Sequence, residues 1–455
     1  MNRPALVSLP CVNIGVAIVA AVAAVLSLAA GEGNAAPAPE AEIARRAEAM
    51  ATKLPARVTV EAGQSERNDT PVSIRLGQSL RAEQIRLEEI KGAKRLPVPA
   101  QIESGRQPRL WWILCGKTAA GARRVYELTA AKGAPAEGVT VKLDDKALDV
   151  SCGKAKVLRY NHAVMPPPTG ASKKYARSAF IHPLWSPAGA VLTEIHPKDH
   201  LHHMGLWNPW TKTKFEGRNI DFWNLGAGKG TVRFVKFASR TSGPVFGGFR
   251  ALQEHVDLSA PGGEKVALNE QLDVRVWNVG GPKKGFRLVD FTTTQRCASS
   301  SPLLLAKYRY GGFGFRGTNR WKEGNSDCLT SEGKTRRDGH ATRARWCIVH
   351  GPTAEGPAGI LFMSHPKNRS HPEPMRIWPK GNVFFNFCPI QKAPWTLEPG
   401  NDYILRYRLY VYTGKPPARG PGGLGPTGGL AAKAADRLWQ DFGDPPKATV
   451  CKPAK

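Results

Sequence analysis

The chain has 455 residues and a formal net charge of +28, from 65 Lys and Arg against 37 Asp and Glu. That length allows two or three domains, and the charge biases the protein toward polyanions such as acidic glycans or anionic surfaces. No zinc-finger, RNA-recognition or long basic-helix pattern occurs, which sets nucleic acid aside as a partner, and 47 Gly with 37 Pro favour short strands and turns over long helices.

Residues 1–36 read as a secretory signal. Arg3 precedes an apolar run from Ile14 to Ala30, which leaves through the small residues of LAAGEGNAAPAPE. The run is just long enough to be an N-terminal membrane anchor instead. Cleavage between 30 and 36 is the expectation, with a periplasmic or secreted location and no later segment able to span a bilayer. Export permits disulfides, but Cys115, Cys152, Cys297, Cys328, Cys347, Cys388 and Cys451 are widely spaced without a C-x-x-C, which gives a thiolate zinc site little support. Residues 37–55 read as a linker. From 56 to 152 the pieces VTVEA, PVSIRL, LWWILCG, RRVYELTA and VTVKLDD alternate with turn residues and predict a small β-sandwich module. From 153 to 414 strands dominate again, among them TVRFVKFASR, VALNEQLDVRVWNV, FRLVDFTTTQ, AGILFMSH and YILRYRLYVYTG. Long β-rich runs with glycine turns and no βαβ rhythm predict a large antiparallel sandwich. Residues 415–455 start as a Pro/Gly-rich tail, in which the amphipathic AADRLWQDF is able to dock back.

The residues suited to chemistry fall in the larger region. HPKDHLHHMGLWNPW, residues 196–210, holds four of the chain's 11 histidines. If 199–203 are extended, His200 and His202 share one face and His203 takes the other. His200, His202 and His203 could then hold a divalent metal, although the glutamate that follows an H-x-H pair in cupins is displaced to Glu216. Alternatively an imidazole exchanges a proton with a sugar. Asp199 or Asp221 would orient it, and Trp185, Trp207, Trp210 and Trp223 would offer flat apolar faces to a pyranose. A third reading makes the same residues core. In VALNEQLDVRV the even positions Val266, Leu268, Glu270, Leu272, Val274 and Val276 place a carboxylate on an apolar face. Burial would raise its pKa, as a general base requires, unless an ion pair with an arginine compensates.

Residues 307–345 carry ten Lys or Arg against four Asp or Glu. The stretch YRYGGFGFRGTNRW, a glycine-rich turn among arginines and aromatics, suits an anionic or sugar ligand, and no phosphate-loop spacing is present. MSHPKNRSHPEPMRIWPKGNVFFNFCP then supplies His365, His371, Arg376 and Asn386 on a loop between apolar strands, a good place for ligand contact.

FIHPLWSPAGAVLTEIHPKDHLHHMGLWNPW, NIDFWN, GGFGFRG, RARWCIVHG, GILFMSHPKNRSHPEPMRIWP and RYRLYVYTG follow one another in that order. On these motifs residues 154–414 resemble the bacterial family labelled PmoA-like, or "methane oxygenase PmoA". A true membrane methane monooxygenase subunit has several spanning helices, and this chain has one apolar run. The resemblance implies, as family positions, His182, Asp199, His200, His202, His203, Gly205, Trp207, Asp221, Trp223, Arg345, Trp346, His365, Pro366 and Arg376. The chain departs from it at Met204, where the family more often has Arg, and at Ser364, where it more often has Asp. Its β-rich pattern is similar to the supersandwich of galactose mutarotases.

These readings combine into an exported, mostly β, carbohydrate-active protein: an epimerase, lyase or hydrolase with His200, His202 or His203 as acid and Glu270 as base. His182, Trp207, Asp221, Trp223, Arg345, His365 and Arg376 would contact a sugar or anionic glycan, and no cofactor is called for. The alternatives are a metal-dependent oxygenase or hydrolase built on the three histidines, and a non-catalytic glycan-binding or cell-envelope protein. The N-terminal pattern makes the first testable prediction: Edman sequencing of the native protein should begin between Gly31 and Glu40. A mature chain starting at Met1 and fractionating with membranes would make the apolar run an anchor.

Overall fold

The computed structural model describes residues 54–76, 85–105, 107–131, 137–281, 284–414 and 432–451. The expected signal and nearly all of the expected linker therefore lie outside the described residues.

Strict alternation builds the sheets. In the strand Lys265–Trp277, Leu268, Glu270, Leu272, Val274 and Val276 are buried, while Gln271, Asp273 and Arg275 are half-covered on the opposite face. The register sets Glu270 opposite Gln253 of Phe246–Asp257 on one side and Gln295 of Phe286–Cys297 on the other. A slip of one residue would turn the whole apolar set outward, which fixes the pairing.

These strands belong to an eight-stranded antiparallel sheet in the order Gly230–Thr241, Phe246–Asp257, Lys265–Trp277, Phe286–Cys297, Tyr403–Thr413, Ala358–Ser364, Trp346–Gly351, Asp327–Thr330. A second eight-stranded sheet runs Met375–Ile377, Phe384–Phe387, Gly314–Arg316, Leu206–Trp207, Phe180–Leu184, Ala155–Asn161, Ala147–Cys152, Val139–Leu143. The two share one core, in which Tyr160, Phe249, Leu272, Phe291, Phe315 and Phe362 interlock. The mostly β, antiparallel sandwich class expected from the pattern is the class observed.

The N-terminal part makes a five-stranded sheet and a three-stranded sheet around a separate core that includes Val58, Leu87, Trp112 and Tyr126. Two sheet memberships differ from the expected divisions. Val139–Leu143 and Ala147–Cys152, grouped by sequence with the small module, pair onward to Ala155–Asn161 in the large sheet. Their apolar side chains Val139, Leu148, Val150 and Cys152 enter the large core, which decides the matter. The C-terminal stretch, expected as a tail, contains the helix Ala432–Gly443 and the strand Lys447–Cys451, and that strand pairs with Ala56–Glu61. The helix lays Ala435, Leu438, Trp439 and Phe442 against Trp346, Ile348, Leu361 and Met363, as its amphipathic spacing requires. Its inner Asp441 accepts from Arg67 Nη1 at 3.0 Å and Thr70 Oγ1 at 2.8 Å, so the C-terminal helix clasps the first strands of the chain. Cys152, Cys297, Cys328, Cys347 and Cys388 are buried free thiols and Cys115 an exposed one.

The clasp generates a stability prediction. Arg67 is 1% exposed, and Asp441→Ala would leave it only the exposed Asp444, 3.8 Å away, as an acidic partner. The loss expected is about 3 kcal/mol in chemical denaturation, with Asp441→Asn costing less because its amide oxygen still accepts. An unchanged denaturation midpoint in Asp441→Ala would show that the clasp contributes nothing.

Candidate functional site

The histidine-rich segment is a loop built from turns, not a strand. Ile195 pairs with Met204 across its base. Within it His200 N–H donates to Pro197 O at 2.9 Å, His203 N–H to His200 O at 2.9 Å, and His196 N–H to His203 O at 3.0 Å. Gly205 ends the loop at φ +65°, where a Cβ would stand 2.3 Å from Ile181 O, so no other residue fits. The expected split of imidazoles between two strand faces therefore does not occur. The rings of His200 and His203 stack at 4.6 Å, and His202 stands edge-on to His203 at 4.8 Å.

Under this loop lies Arg316, 1% exposed. Its Nη2 donates to Asp199 Oδ1 at 2.6 Å, and Asp199 Oδ2 lies 3.0 Å from His200 Nδ1. Its Nη1 lies 3.4 Å from His203 Nδ1. Burial, then the charges of His202, Arg316 and His200, hold His203 well below the usual imidazole range. Burial and then His200 bring His202 down to about 4. Burial and then His196 do the same to His182, also about 4, while its Nδ1 meets Thr193 Oγ1 at 2.9 Å. Burial disfavours the charged form of these rings, so the expected acid role of His202 and His203 works against desolvation. The metal alternative is not assembled either. Among the described residues no three His, Cys, Asp or Glu side chains converge as a ligand set, and His203 Nδ1 faces a guanidinium.

Trp207 and Trp223 are 1% and 0% exposed and pack 4.8 Å apart, so neither offers a free face to a pyranose. They form the floor beneath the loop, with Phe384 stacked on His203 at 4.8 Å. The half-buried groups beside this floor are polar. Asp221 accepts from Trp223 N–H at 2.9 Å, Asn224 N–H at 2.8 Å, Asn224 Nδ2 at 2.8 Å and Thr211 Oγ1 at 3.0 Å. Asn224 Oδ1 in turn accepts from Tyr310 OH at 3.1 Å, and the Tyr310 ring packs on Trp223 at 5.2 Å. Burial first, with lesser contributions from Tyr308 and Asp221, pushes the Tyr310 hydroxyl up to about 12. Asp221 acts electrostatically on both His202 and Tyr310, and Tyr310 is tied to it through Asn224.

Glu270 is elsewhere in chemical terms. It is 3% exposed, with Oε2 2.8 Å from His255 Nε2 and Oε1 accepting from Thr293 Oγ1 at 2.6 Å and Asn208 Nδ2 at 3.2 Å. Burial works to raise its pKa, but the hydrogen bond and charge of His255, then Thr293 and Asn208, outweigh it and leave the carboxyl below its ordinary value. The expected raised base is thereby corrected: Glu270 is a sealed hydrogen-bond acceptor, and its partner is a histidine rather than an arginine. Arg177, 2% exposed, donates through Nη1 to Phe222 O at 3.3 Å, and its charge acts on His202 and feels Glu270.

Arg345 and His365 do not join the site. Arg345 Nη2 bonds Asp436 at 3.1 Å and its guanidinium lies 5.0 Å over Trp439. Trp346 Nε1 bonds the same Asp436 at 2.8 Å, and His365 meets the Phe442 ring at 5.0 Å. These positions anchor the C-terminal helix. Arg376 lies instead on a basic, aromatic face with Arg309 and Tyr310 near it. A narrow pocket lined by Arg336, Trp378 and Phe384 holds little chemistry, because Arg336 is saturated by Ser326, Trp378, Lys380 and Gly381. Arg316 and Tyr310 were not singled out by residue type, yet both fall in YRYGGFGFRG, the stretch marked by its glycines and arginines. His255 and Arg177 carry no motif; only the strand alternation around Gln253 and His255 hints that polar groups are buried there.

Residues 147–420 match the family of unknown function DUF6807, and the chain belongs to that family. No curated protein matches it. Among solved structures, heparan sulfate lyase HepC from Pedobacter heparinus is similar at 10% identity over 64% of this chain, with a TM-score of 0.29. A mutant of that lyase is similar at 10% identity over 63%, with the same score. The chain spans 40% and 38% of the length of those two structures. Among the described residues no helix is long and apolar enough to cross a membrane.

The sealed carboxylate makes a prediction with a definite sign. Glu270→Ala strips His255 of its partner and should cost about 3 kcal/mol at pH 7. The Glu270 pKa is depressed on folding, so its contribution is present above about pH 4.5 and is lost as pH falls through the folded value. The gap in melting temperature between wild type and Glu270→Ala should therefore narrow below pH 4.5. A gap that stays constant or widens there would overturn the assignment of a depressed pKa.

Proposed function

We propose that the protein is exported and acts on a glycan at the histidine loop by proton transfer, with His202 as acceptor and Tyr310 as donor. The observation that carries this reading is a shared floor: the Tyr310 ring packs on Trp223 at 5.2 Å and its hydroxyl bonds Asn224, while the half-buried His202 stands 4.8 Å from His203, whose ring meets the same Trp223 at 6.3 Å. A base that takes a proton from a sugar carbon, a sugar hydroxyl or an attacking water, with an acid that returns one to carbon or to a departing or ring oxygen, is the shared requirement of epimerisation, elimination and hydrolysis. Asp199 and Arg316 act as positioning residues for the loop, and Asp221 and Asn224 for the pair. The PmoA-like resemblance rests on motif order. Of its positions, those from His182 to Trp223 gather at or beneath this loop, and Arg345, Trp346 and His365 serve the helix. The buried state of Trp207, Trp223 and Glu270 favours a second reading, a glycan-binding protein without turnover.

A panel of polysaccharides, assayed for binding and for new reducing ends, unsaturated ends or epimers, tests both. In the enzymatic reading His202→Ala and Tyr310→Phe each lose about 100-fold or more in kcat with little change in Kd. Activity rises as pH climbs through about 4 and declines as it approaches about 12. Binding with no product from any glycan would establish the non-catalytic reading, and activity untouched in both variants would sink the proton-transfer pair.

A further inference from the structure

We propose that Arg309, Arg376 and Lys392 form a subsite for an oxyanion, a sulfate or carboxylate carried on an acidic glycan. The proposal rests on the glycan reading of the adjoining histidine loop and names its substrate class. Distant segments are tied together here by hydrogen bonds from the Gln391 side chain and between backbones. Gln391 Nε2 donates to Arg309 O at 3.3 Å and Met375 O at 3.2 Å, Cys388 N–H to Pro374 O at 2.9 Å, and Ala341 N–H to Met375 O at 2.9 Å. The cations are thus carried on fixed backbone. Arg376 lies 4.3 Å over the ring of Trp378, which is 40% exposed, and its Nη1 is 3.3 Å from His340 Nε2. Arg309 lies 5.6 Å and 5.8 Å over the rings of Tyr308 and Tyr310.

Among the described residues no carboxylate is in ion-pair distance of Arg309, Arg376 or Lys392, and none appears among the charges acting on His340 or Arg376. Burial, then Arg376, Lys392 and Arg309, keep His340 below the usual imidazole range; Arg376 Nη1 lies 3.3 Å from His340 Nε2, and Gln391, next to Lys392, bonds the backbone of both Arg309 and Met375. Cations held together without an internal counter-charge repel one another and are relieved by a bound anion. A guanidinium fork matches the paired oxygens of sulfate or carboxylate. The link to a sugar is Tyr310: its ring lies under Arg309 and its hydroxyl bonds Asn224 of the proton-transfer frame. Trp378 beside Arg376 supplies the exposed flat face that the buried Trp207 and Trp223 do not.

Isothermal titration of the purified full chain with dextran, dextran sulfate, polygalacturonate and inorganic sulfate tests this. Arg309→Gln/Arg376→Gln is compared with Lys94→Gln/Lys142→Gln, which removes the same charge from exposed sites elsewhere. The expected result is that dextran sulfate or polygalacturonate binds at least tenfold more tightly than dextran. The arginine double variant loses about tenfold or more of that affinity at unchanged melting temperature, and the lysine control keeps it. Equal loss in both variants would reduce the effect to the net charge of +28 and overturn the subsite. Inorganic sulfate binding through the same arginines as tightly as the polymers would also overturn it, by making the ligand a free anion. Arginine-dependent binding of the acidic polymers, with turnover that is the same in His202→Ala and the wild type, supports the subsite and removes the proton-transfer reading. A neutral glycan turned over through His202, with no gain from acidic groups, supports that reading and removes the subsite.

Discussion

The contact between His255 and Glu270, 2.8 Å long and closed off between two eight-stranded sheets, sets the terms for the rest of the molecule. A carboxylate in a dry core must be met by donors or lose its charge. Here His255, Thr293 and Asn208 meet it, and Gln253 and Gln295 lie directly opposite across the strands. A group satisfied in this way is held in place and cannot reach a substrate. The sandwich core therefore spends its polar residues on its own order.

Those turns are held from below. Arg316 sits at the end of a short central strand, buried, and reaches up to Asp199 and His203. Trp207, Trp223 and Phe384 close the floor. Burial on this floor lowers the pKa of His202 and His203, while Asp221, which accepts from four donors, keeps Asn224 and Tyr310 in line.

The C-terminal helix illustrates how easily charged and aromatic residues mislead when read singly. Arg345, His365 and Trp346 look like ligand contacts in sequence, and each is instead occupied by Asp436, Phe442 or Trp439. Arg376 belongs to the same run of sequence and faces a different surface, with Trp378 and His340. Its neighbours Arg309 and Lys392 come from two other loops, and no spacing rule in the chain connects them.

Period-two alternation by itself determined the strands, their inward faces and hence the antiparallel class, because side chains on a pleat have no other choice of side. It also placed Glu270 on the buried face, and the glycine–arginine stretch contains Tyr310 and Arg316, which pack beside and beneath the histidine loop. Only the tertiary structure decided what those residues became. Whether Glu270 is a base depends on His255, fifteen residues away in sequence and adjacent across a strand pair. Whether His202 gives or takes a proton depends on how much water the turns leave around it. The extent of desolvation and the identity of the cross-strand partner are set by packing among distant segments, and a linear pattern records neither.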